Sequence, residues 1–223
     1  GQGNSDVLDG AGGADTLKLS TGSHVFASDA NFTNIETVLA NSAGSSINLS
    51  AQTEGFTITG GAGVDIITGG AGINVITGDA GNDSITGGAS ADIITGGAGD
   101  DQLTGGAGAD TFNIDSGSDT ITDMSATDIL VISAGATVNG TISANYTATG
   151  ATTNAGTANL TIGTGGLSVD MGLAGGSAGF NIIGSSGTDT IKGTGKADTF
   201  TIASSGQGNS DVLDGAGGAD TLK

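Results

Sequence analysis

Aspartate or asparagine recurs at every ninth residue through the middle of the chain: Asp65, Asn74, Asp83, Asp92, Asp101, Asp110, Asp119 and Asp128. Shorter sets stand near the ends, Asp6 and Asp15 at one and Asp189, Asp198, Asp211 and Asp220 at the other. Of the 23 acids only Glu36 and Glu54 are glutamates, and random acidity would choose neither a nine-residue step nor Asp over Glu. Carboxylates and turn carbonyls are hard oxygen donors. There is no Cys, and His24 is the single His. This donor set points to Ca2+ over zinc or copper, and over Mg2+, which prefers to keep its waters.

Something must hold these acids in line. Large apolar residues keep the same nine-step at Leu49, Ile58, Ile67, Ile76, Ile85, Ile94, Leu103, Phe112, Ile121 and Leu130. The step also links Leu8, Leu17, Phe26 and Ile35, then Leu173, Ile182, Ile191 and Phe200, and after a gap of 13 it reaches Leu213 and Leu222. A helix needs a period of about 3.6 and a half-buried strand about two. A nine-residue step fits a solenoid in which each nine supplies one turn and one short strand, and two nines close one coil. The eighth residue then points into a thin core, and the ninth, Thr68, Thr77, Thr86, Thr95 and Thr104, forms an outward threonine ladder. At the seventh position Ile66, Val75 and Ile93 are apolar, and a covering neighbour or plain exposure would each account for them.

Consecutive nines fall on opposite edges of such a coil. Asp65, Asp83, Asp101 and Asp119 stack along one edge; Asn74, Asp92, Asp110 and Asp128 stack along the other. Two carboxylates about 5 Å apart repel by roughly 3 kcal/mol at an effective dielectric near 20. A cation between rungs turns that repulsion into attraction.

The units "GGAGVDIIT", "GGAGDDQLT" and "GGAGADTFN" resemble the repeats-in-toxin (RTX) nonapeptide, G-G-x-G-x-D-x-U-x with U a large apolar residue. The resemblance implies an all-β fold, a parallel β-roll or β-solenoid of elongated repeat architecture, with Ca2+ held by turn carbonyls and the sixth residue. It pairs Asp65 with Asp83, Asn74 with Asp92, Asp83 with Asp101 and Asp92 with Asp110. Asp101–Asp119 and Asp110–Asp128 extend the series through turns that depart from the glycine pattern, and Ser90 replaces a fourth-position glycine. Asn74 keeps a carbonyl oxygen but gives up a charge, so the first site on its edge is expected to be the weaker.

Residues 1–18 recur unchanged at 206–223, an offset of 205. Tandem repeats of about that length are the preferred reading, and an overlap of the chain with itself is the other. Under the first, Asp6 and Asp15 are the second half of a block whose first half belongs to a preceding repeat. Five segments follow: 1–18 shared with that repeat, 19–59 as coils without the calcium motif, 60–131 as the main roll, 132–174 as an irregular Thr/Gly-rich β segment, and 175–223 as a second block. "NFTNIETVL" (31–39) is similar to a segment of bacterial RTX surface-layer proteins and large adhesins. The segment from about 135 to 172 reads as either a lateral excursion or plainer coils.

Charge narrows the function. The net charge is −19, with four Lys and no Arg, which disfavours nucleic acid and anionic membranes and favours cations. No run reaches the ~18 apolar residues of a membrane span, and no signal-peptide pattern opens the chain. One His, one Tyr and no HExxH or GxSxG motif argue against an enzyme. The expected function is a calcium-rigidified structural repeat of a secreted bacterial cell-surface protein that assembles with copies of itself into a surface layer or filament. A stalk segment of a large RTX adhesin, or an accessory roll of a type I-secreted enzyme, is the alternative.

Overall fold

The computed structural model describes residues 8–27, 32–202 and 210–223. Every regular element among them is a short strand, so no helix is long and apolar enough to cross a membrane. The fold is a parallel β-solenoid, and the chain divides into two units, Gly1–Asp110 and Thr111–Lys223.

In the first unit two parallel sheets are built from alternate segments. One stacks Thr16–Lys18, Thr37–Leu39, Thr57–Ala62, Val75–Ala80 and Ile93–Ala98. The other stacks Gly22–Val25, Ser45–Asn48, Ile66–Thr68, Ser84–Gly88 and Gln102–Gly106. Ile58 pairs with Ile76 and Ile76 with Ile94, while Ile67 pairs with Ile85 and Ile85 with Leu103. Successive nines thus lie in opposite sheets, and each apolar eighth residue covers its equivalent two nines away. All six are at most 1% exposed. The β-branched threonines line up as expected, Thr59–Thr77–Thr95 and Thr68–Thr86–Thr104, half-buried on the outer faces. Ile66, Val75 and Ile93 are 54%, 41% and 41% exposed, so no described residue covers them.

The nine-step fails at the start of the chain. Leu8 is exposed, and Leu17, Phe26 and Ile35 are only half-buried, while Phe32, Val38 and Ile47 form the core. Leu17 pairs with Val38 and His24 with Ile47, so these coils carry extra residues. Parallel pairing conserves the register between strands, not the count along the chain, and additional residues loop out at the turns. Phe32 bridges Phe26 and Phe56, with ring centroids 4.6 and 5.5 Å away.

The second unit has three sheets, and its coils from Ile129 to Lys192 are three-sided. One sheet runs Thr111–Ile114, Ile129–Ile132, Thr153–Asn154, Gly175–Gly176. A second runs Ser118–Met124, Thr137–Ile142, Thr157–Ile162, Asn181–Ile183, Thr199–Thr201, Thr221–Leu222. A third runs Tyr146–Thr147, Ser168–Asp170, Thr190–Lys192, Val212–Asp214. The stretch where the nine-step is lost therefore consists of plainer, longer coils, with no lateral excursion. Val138 pairs with Ala158 and Leu160 with Ile182. The outer ladder here is asparagine: Asn181 Nδ2 donates to Asn159 Oδ1 at 2.8 Å, and Asn159 Nδ2 to Asn139 Oδ1 at 3.0 Å. Tyr146 is fully buried, its hydroxyl 3.1 Å from Thr152 Oγ1. Leu173 is 69% exposed, and Val169 and Met171 fill the core place expected for it.

Removing a core rung should cost far more than removing an outer one. Ile76→Ala in saturating calcium is expected to lower stability by about 2–5 kcal/mol, and Ile66→Ala by no more than about 0.5 kcal/mol, as read by urea denaturation.

Candidate metal centre

Ten of the sixth-position side chains lie inside their turns, while Asp15 and Asp211 are half-buried and Asp220 is exposed. Asp65, Asn74, Asp83, Asp92, Asp101 and Asp110 of the first unit are at most 2% exposed, as are Asp119, Asp128, Asp189 and Asp198 of the second. One carboxylate oxygen is used in the same way at four rungs of the first unit. Asp65 N–H donates to Asp83 Oδ1 at 2.8 Å, Asp83 N–H to Asp101 Oδ1 at 2.8 Å, Asn74 N–H to Asp92 Oδ1 at 2.7 Å, and Asp92 N–H to Asp110 Oδ1 at 2.8 Å. The ladder therefore joins residues two nines apart along each edge, in the expected pairs.

The other oxygen is different. Oδ2 of Asp65, Asp83 and Asp92 is buried and accepts no hydrogen bond. An ionised oxygen in that state costs several kcal/mol unless something positive faces it. The space beside it is kept open by the first-position glycine. A Cβ on Gly60 would lie 2.8 Å from Asp65 Oδ2 and 2.7 Å from the Gly78 carbonyl oxygen; on Gly87 it would lie 2.5 Å from Asp92 Oδ2 and 2.7 Å from the Gly105 carbonyl oxygen. Gly78 faces Asp83 Oδ2 and the Gly96 carbonyl oxygen in the same arrangement. These glycines are needed for room; the positive φ angles belong to the second and fourth positions, as at Gly61 and Gly63, each 99°. Asp79 takes the second position at φ 74°, a conformation that Asp tolerates better than most residues.

A carboxylate oxygen of one coil and a glycine carbonyl oxygen of the next thus face the same first-position glycine, and at Asp65, Asp83 and Asp92 that carboxylate oxygen has no hydrogen-bond donor. Among the described residues no three His, Cys, Asp or Glu side chains gather into a metal-binding group, so backbone carbonyls must complete any shell. An all-oxygen set of carboxylates and carbonyls fits Ca2+. Asp65, Asp83 and Asp92 with the Gly78, Gly96 and Gly105 carbonyls would hold it, and the ion would neutralise the facing carboxylates.

The remaining acids differ in surroundings. Asp15 Oδ2 is buried without a partner, and Asp15 N–H donates to Glu36 Oε2 at 2.8 Å. Glu36 thus stands where an Asp stands elsewhere. It is the sixth residue of "NFTNIETVL", a signal overlooked by looking for Asp alone. Asp128 Oδ2 accepts the Ser125 amide at 2.6 Å. Asp189 N–H donates to Asp211 Oδ1 at 2.9 Å and Asp198 N–H to Asp220 Oδ1 at 3.0 Å, so the second block keeps the ladder across longer coils. Asp6 lies outside the described residues. His24 Nε2 lies 2.8 Å from the Ser20 carbonyl oxygen, a local contact.

Burial raises the carboxyl pKa of Asp65, Asp83 and Asp92. The amides of Ser45, Asp65 and Asn74 respectively pull each back, and the Asp79 charge pushes Asp65 and Asp83 further up.

Four stretches of the chain, residues 1–22, 59–94, 86–121 and 183–222, match the family of RTX calcium-binding nonapeptide repeats, and together they cover more than half of it. No curated protein matches the chain.

Two outcomes follow from this geometry. Gly78→Ala is expected to lower stability in saturating calcium by about 1–3 kcal/mol and to weaken calcium binding, while Gly150→Ala, whose added Cβ meets nothing within 4 Å, leaves both unchanged; calcium titration and urea denaturation read the pair. Raised folded pKa values mean that the metal-free folded chain binds more protons than the unfolded chain. Their contribution to stability is complete below the ordinary carboxyl value of 3.8 and is lost as pH rises through the raised values. In a calcium chelator, circular dichroism should show more strand at pH about 4 than at pH about 7.

Proposed function

The chain belongs to the family of RTX calcium-binding nonapeptide repeats, and on that premise we propose that it is a calcium-rigidified structural repeat of a secreted bacterial cell-surface protein. RTX nonapeptide repeats bind calcium ions. The observation that carries the proposal is the run of buried carboxylate oxygens without hydrogen bonds at Asp65, Asp83 and Asp92, each facing a glycine carbonyl of the next coil. Without cations the stacked carboxylates oppose folding, and a chain with net charge −19 and only four Lys has little of its own to neutralise them. In low calcium it stays unfolded and suited to export. Outside the cell, calcium closes the turns and the apolar eighth residues gather into the core.

A structural role is favoured over a catalytic one. The single His makes a local backbone contact, and the buried acids Asp83, Asp92, Asp101 and Asp110 each accept a ladder amide. Assembly with copies of itself, as a surface layer or filament, is supported by the perfect recurrence of residues 1–18 at 206–223. Identical periods present identical lateral patches, and identical patches self-assemble.

Circular dichroism during calcium addition is expected to show strand appearing cooperatively and a chelator reversing it; an unchanged spectrum at millimolar calcium would sink the proposal. Electron microscopy of the calcium-loaded chain should show sheets or fibres, and isolated rods would favour the stalk.

A further inference from the structure

Two kinds of turn recur among the described residues, and the turn before Asp92, with positive φ at Gly88 but not at Ser90, stands between them. In one, the second and fourth residues of the nine both have positive φ, as at Asp79 and Gly81 (74° and 143°), Gly97 and Gly99 (108° and 141°) and Gly106 and Gly108 (97° and 141°). In the other, neither does: Gly70 and Gly72 before Asn74, Ser185 and Gly187 before Asp189, Thr194 and Lys196 before Asp198. This second kind closes on itself. The second residue's amide turns inward and donates to the sixth side chain of its own turn: Gly70 to Asn74 Oδ1 at 3.3 Å, Ser185 to Asp189 Oδ2 at 2.7 Å, Thr194 to Asp198 Oδ2 at 2.7 Å. A side-chain donor is added. The Ser185 hydroxyl lies 3.1 Å from both Asp189 oxygens, and the Thr194 hydroxyl 3.0 Å from Asp198 Oδ2.

Asn74 carries this furthest. Its Nδ2 stands where an aspartate would place Oδ2: a Cβ on Gly69 would lie 2.8 Å from Asn74 Nδ2, just as one on Gly60 would lie 2.8 Å from Asp65 Oδ2. From there Nδ2 reaches the carbonyl oxygens of Gly70 at 3.0 Å, Gly72 at 2.8 Å and Gly87 at 3.2 Å, and Asp92 Oδ1 at 3.0 Å. Gly87 is the counterpart, on this edge, of Gly78 facing Asp65. The orientation of the amide is dictated by its neighbours. Reversed, its oxygen would face four oxygens and its NH2 would meet the Phe56 and Gly70 N–H groups, which now donate to Oδ1.

We propose that the Asn74 amide replaces calcium at its rung. The oxygens that would ligate an ion between the Asn74 and Asp92 turns are already held by N–H groups, and an entering cation would meet the positive end of the amide. Asn74 is thus a neutral plug and not the weak ligand its carbonyl suggested. The inference rests on the calcium reading of the neighbouring turns, where the same place holds an oxygen without a donor.

Counting bound calcium by equilibrium dialysis at saturation separates the possibilities. Asn74→Ala is expected to bind as many ions as the unaltered chain, and Asn74→Asp one more. A loss of one ion in Asn74→Ala, or no gain in an Asn74→Asp chain whose circular dichroism is native, overturns the plug. In the unaltered calcium-loaded chain, the Asn74 side-chain NH2 should exchange slowly with solvent by NMR; exchange at the rate of a free amide also overturns it. An unaltered chain that binds no calcium at all would refute the calcium reading itself, which is a different failure.

Discussion

A carboxylate enclosed in a turn at neutral pH must meet a hydrogen-bond donor or a cation, or else take up a proton, and this structure is organised around that demand. The backbone amide of each rung satisfies one oxygen of the next, which fixes the coils in register. The second oxygen is left facing a glycine carbonyl, and two like-charged ends cannot share a dry space unaided. At Asp65, Asp83 and Asp92 nothing in the protein meets that oxygen. At Asp189 and Asp198 the turn's own amide and hydroxyl do. The choice between those solutions decides where the fold depends on calcium.

The glycines divide the work. The first of each nine leaves space beside the carboxylate, so that Gly60 and Gly87 are glycines for steric reasons alone. The second and fourth supply left-handed backbone, as at Gly97 and Gly99, where other residues would be strained. Where Ser185 or Thr194 takes the second position, the backbone leaves the left-handed region and the hydroxyl arrives with it. One substitution thereby changes both the shape of the turn and its need for a cation. The core is only one apolar residue deep on each side, Ile58 to Ile94 against Ile67 to Leu103, which leaves little margin to offset uncompensated charge.

From Ile58 to Leu103 the coil, its two edges and its inward residues were legible in the nine-step, because there each coil is eighteen residues and the count along the chain coincides with the register between strands. At Leu8 to Ile35 and in 132–174 the two part company. Parallel ladders keep Leu17 on Val38 and Leu160 on Ile182 while the turns absorb extra residues, and no fixed period can announce that. Glu36 escaped for a smaller reason: a longer side chain reaches the same amide from a nine with no glycine opening.

Composition and spacing alone determined that this chain forms a solenoid, that its acids line the edges in pairs two nines apart, and that hard cations are its ligands. Those follow from periodicity and charge, which a sequence states directly. Tertiary structure alone decided which turns stand open. Asn74 and Asp65 occupy the same position in the repeat, yet one turn fills its centre with an NH2 group and the other leaves an oxygen without a partner. That difference depends on where the carbonyls of Gly72 and Gly87 point, and on a backbone rotation at the second and fourth residues, neither of which the letters of the repeat encode.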